Sequence, residues 1–185
     1  MIAEGMKLYH GSYVEVLQPD LTMCHEGRDF GKGFYVTSDY HQAKRFVRQS
    51  LLRAKQRGDA PKDRMYGYVS CFVYAEEGAL RSHHFPEADV PWLHCVVAHR
   101  KRKSIPGERK KWKAFDLISG KIANDFTNAV ITTYLDGGYG EVGSELADRT
   151  AINLLEPDRL KDQFCFRTLR GIHHLVFMKS ERINV

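Results

Sequence analysis

The sequence predicts an α+β fold built on a largely antiparallel sheet. Three observations lead there. Short extended runs rich in aromatic and β-branched residues recur along the 185 residues. Helical-period segments separate them without the regular βαβ alternation of a doubly wound sheet. No GxGxxG follows the first strand, and no GKS or GKT phosphate cradle occurs.

The elements follow in order. Lys7–His10 is an extended run, and Gly33–Thr37 is the next. Ser38-Asp39 then starts a helix, with Ala43, Phe46, Val47, Ser50, Leu51 and Ala54 at helical spacing, and the stretch from Gly58 to Pro61 stops it. Tyr66–Ala75 reads as a buried strand. Pro86–Val97 reads as a helix, with Asp89 as its cap, Pro91 near the first turn, and Trp92, Leu93, Val96 and Val97 as its apolar face. The segment 100–113 reads as a loop. Ala114–Ser119 returns as a short strand, and Asn124-Asp125 caps a helix through Leu135 that ends at Gly137-Gly138. Ser144–Leu155 is a further helix, stopped before Pro157. Gln163–Arg167 and Ile172–Met178 close the chain as two extended runs on either side of Gly171, in the manner of a hairpin.

Length and composition predict a single domain over residues 1–185, large enough for its own core. Hydrophobic residues are 43% and charged ones 28%, outside the disordered and membrane-spanning ranges. No apolar run approaches the roughly eighteen residues of a membrane helix, and Met1–Gly5 does not begin a signal peptide. Cys24, Cys71, Cys95 and Cys165 lie far apart with no CxxC pair, which points to a reducing, cytoplasmic setting. The net charge of +5 is uneven, because residues 100–113 hold eight Lys or Arg against one Glu. That segment either grips a polyanion or acidic partner, or is a solvated loop.

The residues with chemical promise begin at Tyr9-His10-Gly11-Ser12. About twenty residues later comes Arg28-Asp29-Phe30-Gly31-Lys32-Gly33-Phe34-Tyr35-Val36-Thr37. A histidine followed at once by glycine, and a tyrosine after a glycine-bracketed turn, suit a site that clamps a flat polar ligand. The two segments resemble the first signature strands of the ADP-ribosyltransferase superfamily, in its diphtheria-toxin and poly-ADP-ribose-polymerase branch with a histidine–tyrosine–glutamate triad. The chain is also similar to a bacterial family of transferase-like proteins often encoded beside a small antitoxin-like gene. That likeness rests on Asp29–Thr37, on residues 116–125 (DLISGKIAND) and on residues 161–166 (KDQFCF).

The resemblance implies two short, mostly antiparallel sheets forming a cleft, flanked by helices, with NAD as substrate and no metal. His10 would hold a ribose hydroxyl, the Gly11 backbone would bond the nicotinamide carboxamide, and Tyr35 would stack on the ring. Ser12, Gly33, Asn124 and Asp125 join the implied NAD-binding set. Phe46 stands eleven residues after Tyr35, where the polymerase branch has a second stacking aromatic. Ala43 stands where a serine often bonds the carboxamide. Gln163 stands at the catalytic glutamate, and an amide accepts a hydrogen bond but is no charged base. Asp162 or Asp125 is then a source for the missing carboxylate, although Asp162 and Gln163 point to opposite faces of a strand.

Plainer readings stand beside these. Asn124-Asp125 suits a helix cap, His10 and Tyr35 suit a strand in a core, and Phe46 lies on the apolar helix face as expected. His83, His84, His94, His99, His173 and His174 have no HExxH or CxxC support for a metal. The expected function is mono-ADP-ribosyl transfer from NAD to a macromolecular acceptor, protein or nucleic acid, contacted through 100–113. The resemblance also implies a toxin held by a small antitoxin-like partner. NAD glycohydrolysis and a non-catalytic nucleotide- or partner-binding module are the alternatives.

Overall fold

A computed structural model describes residues 2–100, 105, 107–122, 125–155 and 161–185, with the backbone alone at 125 and 126. β1 (Lys7–Ser12), β3 (Tyr66–Tyr74) and β7 (Leu175–Asn184) form an antiparallel sheet in the order β1-β3-β7. β2 (Phe34–Val36), β6 (Asp162–Phe166), β5 (Leu117–Lys121) and β4 (Ser82–His84) form a second sheet in the order β2-β6-β5-β4. Among the described residues only β4 and β5 pair in parallel. The helices are α1 (Tyr40–Arg57), α2 (Val90–Arg100), α3 (Glu108–Trp112), α4 (Asp125–Leu135), α5 (Glu145–Leu155) and α6 (Leu169–His173). The chain is therefore α+β, with two small, mostly antiparallel sheets.

Strand alternation decides which side chains meet. Phe34, Val36, Leu117, Phe164 and Phe166 share one face of the second sheet and pack against Leu8, Phe72 and Tyr74 of the first. Burial of each such large side chain contributes about 1.5–3 kcal/mol. The opposite face turns Tyr35, Ile118 and Cys165 toward a second cluster, in which Trp92, Leu93 and Val96 of α2 meet Ile131 and Tyr134 of α4.

α1 lies on the first sheet. Asp39 accepts the Gln42 N–H (3.1 Å) as its N-cap, and Gly58 ends it in the left-handed region at φ 82°. Ala43 and Val47 pack against Val69 and Ile183.

The structure corrects several expectations. β6 and β7 are not a hairpin, since they belong to different sheets. Thr168 caps α6 between them by accepting the Gly171 N–H, and Gly171 packs on the Asp116 carbonyl. The segment 100–113 is not a loop throughout: α2 runs to Arg100 and α3 occupies Glu108–Trp112, where apolar Trp112 is buried. The helix expected from Pro86 starts at Val90, behind Asp89, which accepts the Trp92 N–H (2.9 Å). Strand β4 was not expected. Phe46 does not join the core: the buried side of α1 is Ala43, Val47, Leu51 and Ala54, and Phe46 is 36% exposed.

Candidate functional site

The site grows from a split between two strands. Tyr9 and Thr37 exchange both backbone hydrogen bonds (2.8 and 3.0 Å), which joins β1 to the end of β2. Antiparallel continuation would set Gly11 opposite Tyr35, but β1 and β2 share no further bridge. The His10 ring stands at this divergence. Its Nδ1–H donates to the Tyr35 carbonyl (2.7 Å), and the ring stacks on Phe34 with centroids 4.5 Å apart. A carbonyl only accepts, so Nδ1 carries the proton and Nε2 remains as an acceptor. Burial lowers the His10 pKa, partly offset by that hydrogen bond, and keeps the ring neutral.

The same alternation aims the backbone of Gly11. Tyr9 spends its N–H and C=O on Thr37, so His10 turns its own toward Ser70 of β3. Gly11 then faces the β2 side again, into the split. Glycine is needed here for packing, because a Cβ would sit 2.0 Å from the Ala43 carbonyl oxygen. The close approach is to α1.

Across the split, Tyr35 pairs with Cys165 on β6, and Gln163 lies two residues along the same strand. Tyr35 and Gln163 are diagonal neighbours on one face, about 7–8 Å apart in this geometry. The Tyr35 hydroxyl accepts the Phe30 N–H (3.0 Å) and donates to the Gly31 carbonyl (2.7 Å), which ties the preceding turn to the ring. Burial raises its pKa well above the usual tyrosine value, helped by the nearby Cys165 and Asp29. Burial also pushes the Cys165 thiol up to about 12, so it is no nucleophile at neutral pH.

Gln163 is 5% exposed. Its Nε2 donates to Asp29 Oδ2 (2.7 Å) and to the Lys121 carbonyl (3.3 Å). Asp29 Oδ1 in turn accepts from Nε (2.9 Å) and Nη2 (2.6 Å) of Arg100, whose Nη1 donates to Asn128 (2.6 Å). Asp29 is the site residue that sequence reasoning missed. Its one signal was its place at the head of the 29–37 stretch, but its partner is 134 residues away. Asp162 faces the other way and pairs with Lys121 Nζ (3.1 Å), so it does not supply a carboxylate beside Gln163.

The family model described as protein of unknown function (DUF3990) matches residues 6–177, which include every residue of the split and of the Tyr35–Gln163 face. The chain belongs to the DUF3990 family. No curated protein matches it.

The remaining candidates in this DUF3990 chain divide. Ser12 is buried and its Oγ accepts the Val14 N–H (3.3 Å), which turns the chain out of β1. Gly33 packs on β6, where a Cβ would meet Cys165 Sγ at 2.5 Å. Phe46 lies in the α1 turn between Ala43 and Val47, the turn whose backbone abuts Gly11, with Arg53 over its ring at 5.7 Å. Asp125 is the first residue of α4, and Asn124 lies outside the described residues. Residues 101–104 and 106 of the basic segment also lie outside them. Of its other cations, Arg100 pairs with Asp29, Arg109 with Glu26 and Lys111 with Glu108. The histidines hold separate posts: His84 on Ser119 (2.9 Å), His94 on Asp148 (2.8 Å), and His83 against Phe85 and Trp112. No helix among the described residues is long and apolar enough to cross a membrane.

Proposed function

We propose that this DUF3990 chain transfers ADP-ribose from NAD to a nucleophile on a macromolecular acceptor, in a cleft of the ADP-ribosyltransferase kind. The observation that carries the reading is the split, where Gly11 turns one N–H and one C=O toward the Tyr35 strand. A carboxamide carries a donor and an acceptor side by side, and its complement is one residue's N–H and C=O on a strand edge. Gly11 presents that pair to the nicotinamide carboxamide, and Tyr35 and Phe46 are the aromatic surfaces for the ring.

Transfer breaks the bond between ribose C1 and the pyridinium nitrogen, whose electron pair leaves with neutral nicotinamide, while an acceptor lone pair bonds C1 and the acceptor's proton is released. Positive charge builds on the ribose in such a step. His10 Nε2 and Gln163 Oε1 each accept a hydrogen bond from a ribose hydroxyl and fix the sugar. Both roles need only acceptors, which a neutral imidazole and an amide supply.

The test is incubation with labelled NAD and a cell lysate. The wild type is expected to release nicotinamide and to label a macromolecule. Tyr35→Ala and Gln163→Ala are expected to lower both by about 100-fold or more, with circular dichroism unchanged. Nicotinamide release with no labelled polymer replaces transfer by hydrolysis. Bound NAD with no release removes catalysis and leaves a nucleotide-binding module.

A further inference from the structure

We propose that Asp29 and Gln163 are an exchanged carboxylate–amide pair, in which Asp29 is the positioning residue that locks the Gln163 carboxamide with Oε1 toward the ligand. The proposal rests on the reading of the site as an NAD site.

An amide side chain can usually flip, because its oxygen and nitrogen ends have nearly the same shape. Here the neighbours remove the choice. The Lys121 carbonyl and the Asp29 carboxylate are acceptors only, and both lie within hydrogen-bond distance of Nε2 (3.3 and 2.7 Å). Both N–H groups of the amide are therefore committed, and Oε1 points elsewhere. A flipped amide would set three acceptors together in a buried place, which is costly. Asp29 cannot swing aside to permit the flip, because the Arg100 fork holds its other oxygen at 2.6 and 2.9 Å. Arg100 is itself anchored on Asn128 (2.6 Å). Negative charge at Asp29 also polarises the amide so that Oε1 becomes the better acceptor.

The pair also decides what a glutamate at position 163 would do. Gln163→Glu does not restore a stronger catalyst, because it places a second carboxylate against Asp29 at hydrogen-bond distance. Two carboxylates that close do not ionise together. The repair must come from the other side. In the double variant Asp29→Asn/Gln163→Glu, the amide introduced at position 29 donates an N–H to the new carboxylate and keeps its oxygen on Arg100. The bond between positions 29 and 163 and the hold of Arg100 are rebuilt with the charge moved across the pair, while the bond to the Lys121 carbonyl is lost, because a carboxylate has no N–H to give it.

The experiment measures kcat and KM for nicotinamide release from NAD, together with thermal midpoints, for the wild type, Asp29→Asn, Gln163→Glu and the double variant. Asp29→Asn is expected to lower kcat about 10- to 100-fold with KM for NAD within about threefold, as a misaimed catalytic group does. Gln163→Glu is expected to lose about 100-fold or more in kcat and about 5 °C or more in midpoint. The double variant is expected to exceed Gln163→Glu by about tenfold in kcat and to regain part of the lost midpoint, short of wild type because the Lys121 carbonyl has lost its donor. Gln163→Glu as active as wild type overturns the proposal. So does a folded double variant no better than Gln163→Glu. If the wild type releases no nicotinamide, the NAD reading fails by itself. The midpoints then still decide the exchanged pair: recovery in the double variant supports it, and its absence removes it.

Discussion

Gly11 shows how much a single residue can decide. Its α-hydrogen faces the α1 turn between Ala43 and Val47, where a methyl group would stand 2.0 Å from the Ala43 carbonyl oxygen and 3.3 Å from the Val47 nitrogen. Neither atom can give way without moving the helix backbone. Gly11→Ala is therefore expected to cost about 2–3 kcal/mol, in the range of overpacking with a backbone shift, read as a lower urea midpoint at unchanged slope. A midpoint equal to wild type would mean that α1 does not rest on β1 as described. Sequence reasoning singled out Gly11 for a ligand and did not reveal the helix packed against it. A glycine after a strand histidine is visible in one dimension; the helix that needs it begins near residue 40 and meets it only in the fold. Asp29 was less visible still, because its significance lies in Gln163 and Arg100, and nothing local to an aspartate before a phenylalanine reports either contact.

At the scale of elements, α1 joins stability to the site. Its buried stripe is narrow, with Ala43, Val47, Leu51 and Ala54, and Phe46 falls on its flank. The residue periodicity that revealed the helix could not place Phe46, since positions 46 and 50 extend the same apolar pattern by one column. The split decides which column is used, because β1 accepts α1 at the Gly11 gap. Two substitutions separate the helix from its flank. Asp39→Ala removes the capping bond to the Gln42 N–H and is expected to cost about 1 kcal/mol. Phe46→Ala, at an exposed position, is expected to change stability by less than about 0.5 kcal/mol, and, on the proposed reading of the site, to raise KM for NAD severalfold. A large loss of stability from Phe46→Ala would return this ring to the core. The other elements were legible in proportion to their length and caps. α1, β3, α2 and α5 carry long periodic runs or side-chain caps, whereas β4 has only three residues and offers no period. α6 was hidden because Gly171 reads as a turn, although Thr168 three residues earlier supplies the cap that makes a helix.

Across the whole molecule, buried and partly buried histidines are expected to weaken the fold in acid. Burial lowers the pKa of His10, His83, His84 and His99 from the ordinary 6.5, and that of His99 reaches about 4. His99 is 3% exposed; its Nδ1–H donates to the Cys95 carbonyl (2.8 Å), and its Nε2 is buried without a hydrogen-bond partner among the described residues. Unfolding lets each ring take up a proton that the folded state refuses. Between pH 6.5 and 4 the unfolded chain therefore binds more protons, and the free energy of unfolding falls as pH falls. The His99 difference alone corresponds to roughly 3 kcal/mol across that window. Asp39, whose pKa the Gln42 N–H lowers from 3.8, contributes stability that is lost only at more acid pH, so carboxylates of this kind do not produce the slope. Urea denaturation at pH 7.5, 6, 5 and 4.5 is expected to show a steady loss for the wild type and a shallower one for His99→Leu, whatever their difference at pH 7.5. Equal slopes in the two proteins would show that His99 is protonated as readily in the folded state as in the unfolded one. The His99 ring, against which a Cβ at Gly31 would stand 2.6 Å away, would then have to be reached by water, and the Asp29–Gly31 turn that the Tyr35 hydroxyl holds would be open rather than packed.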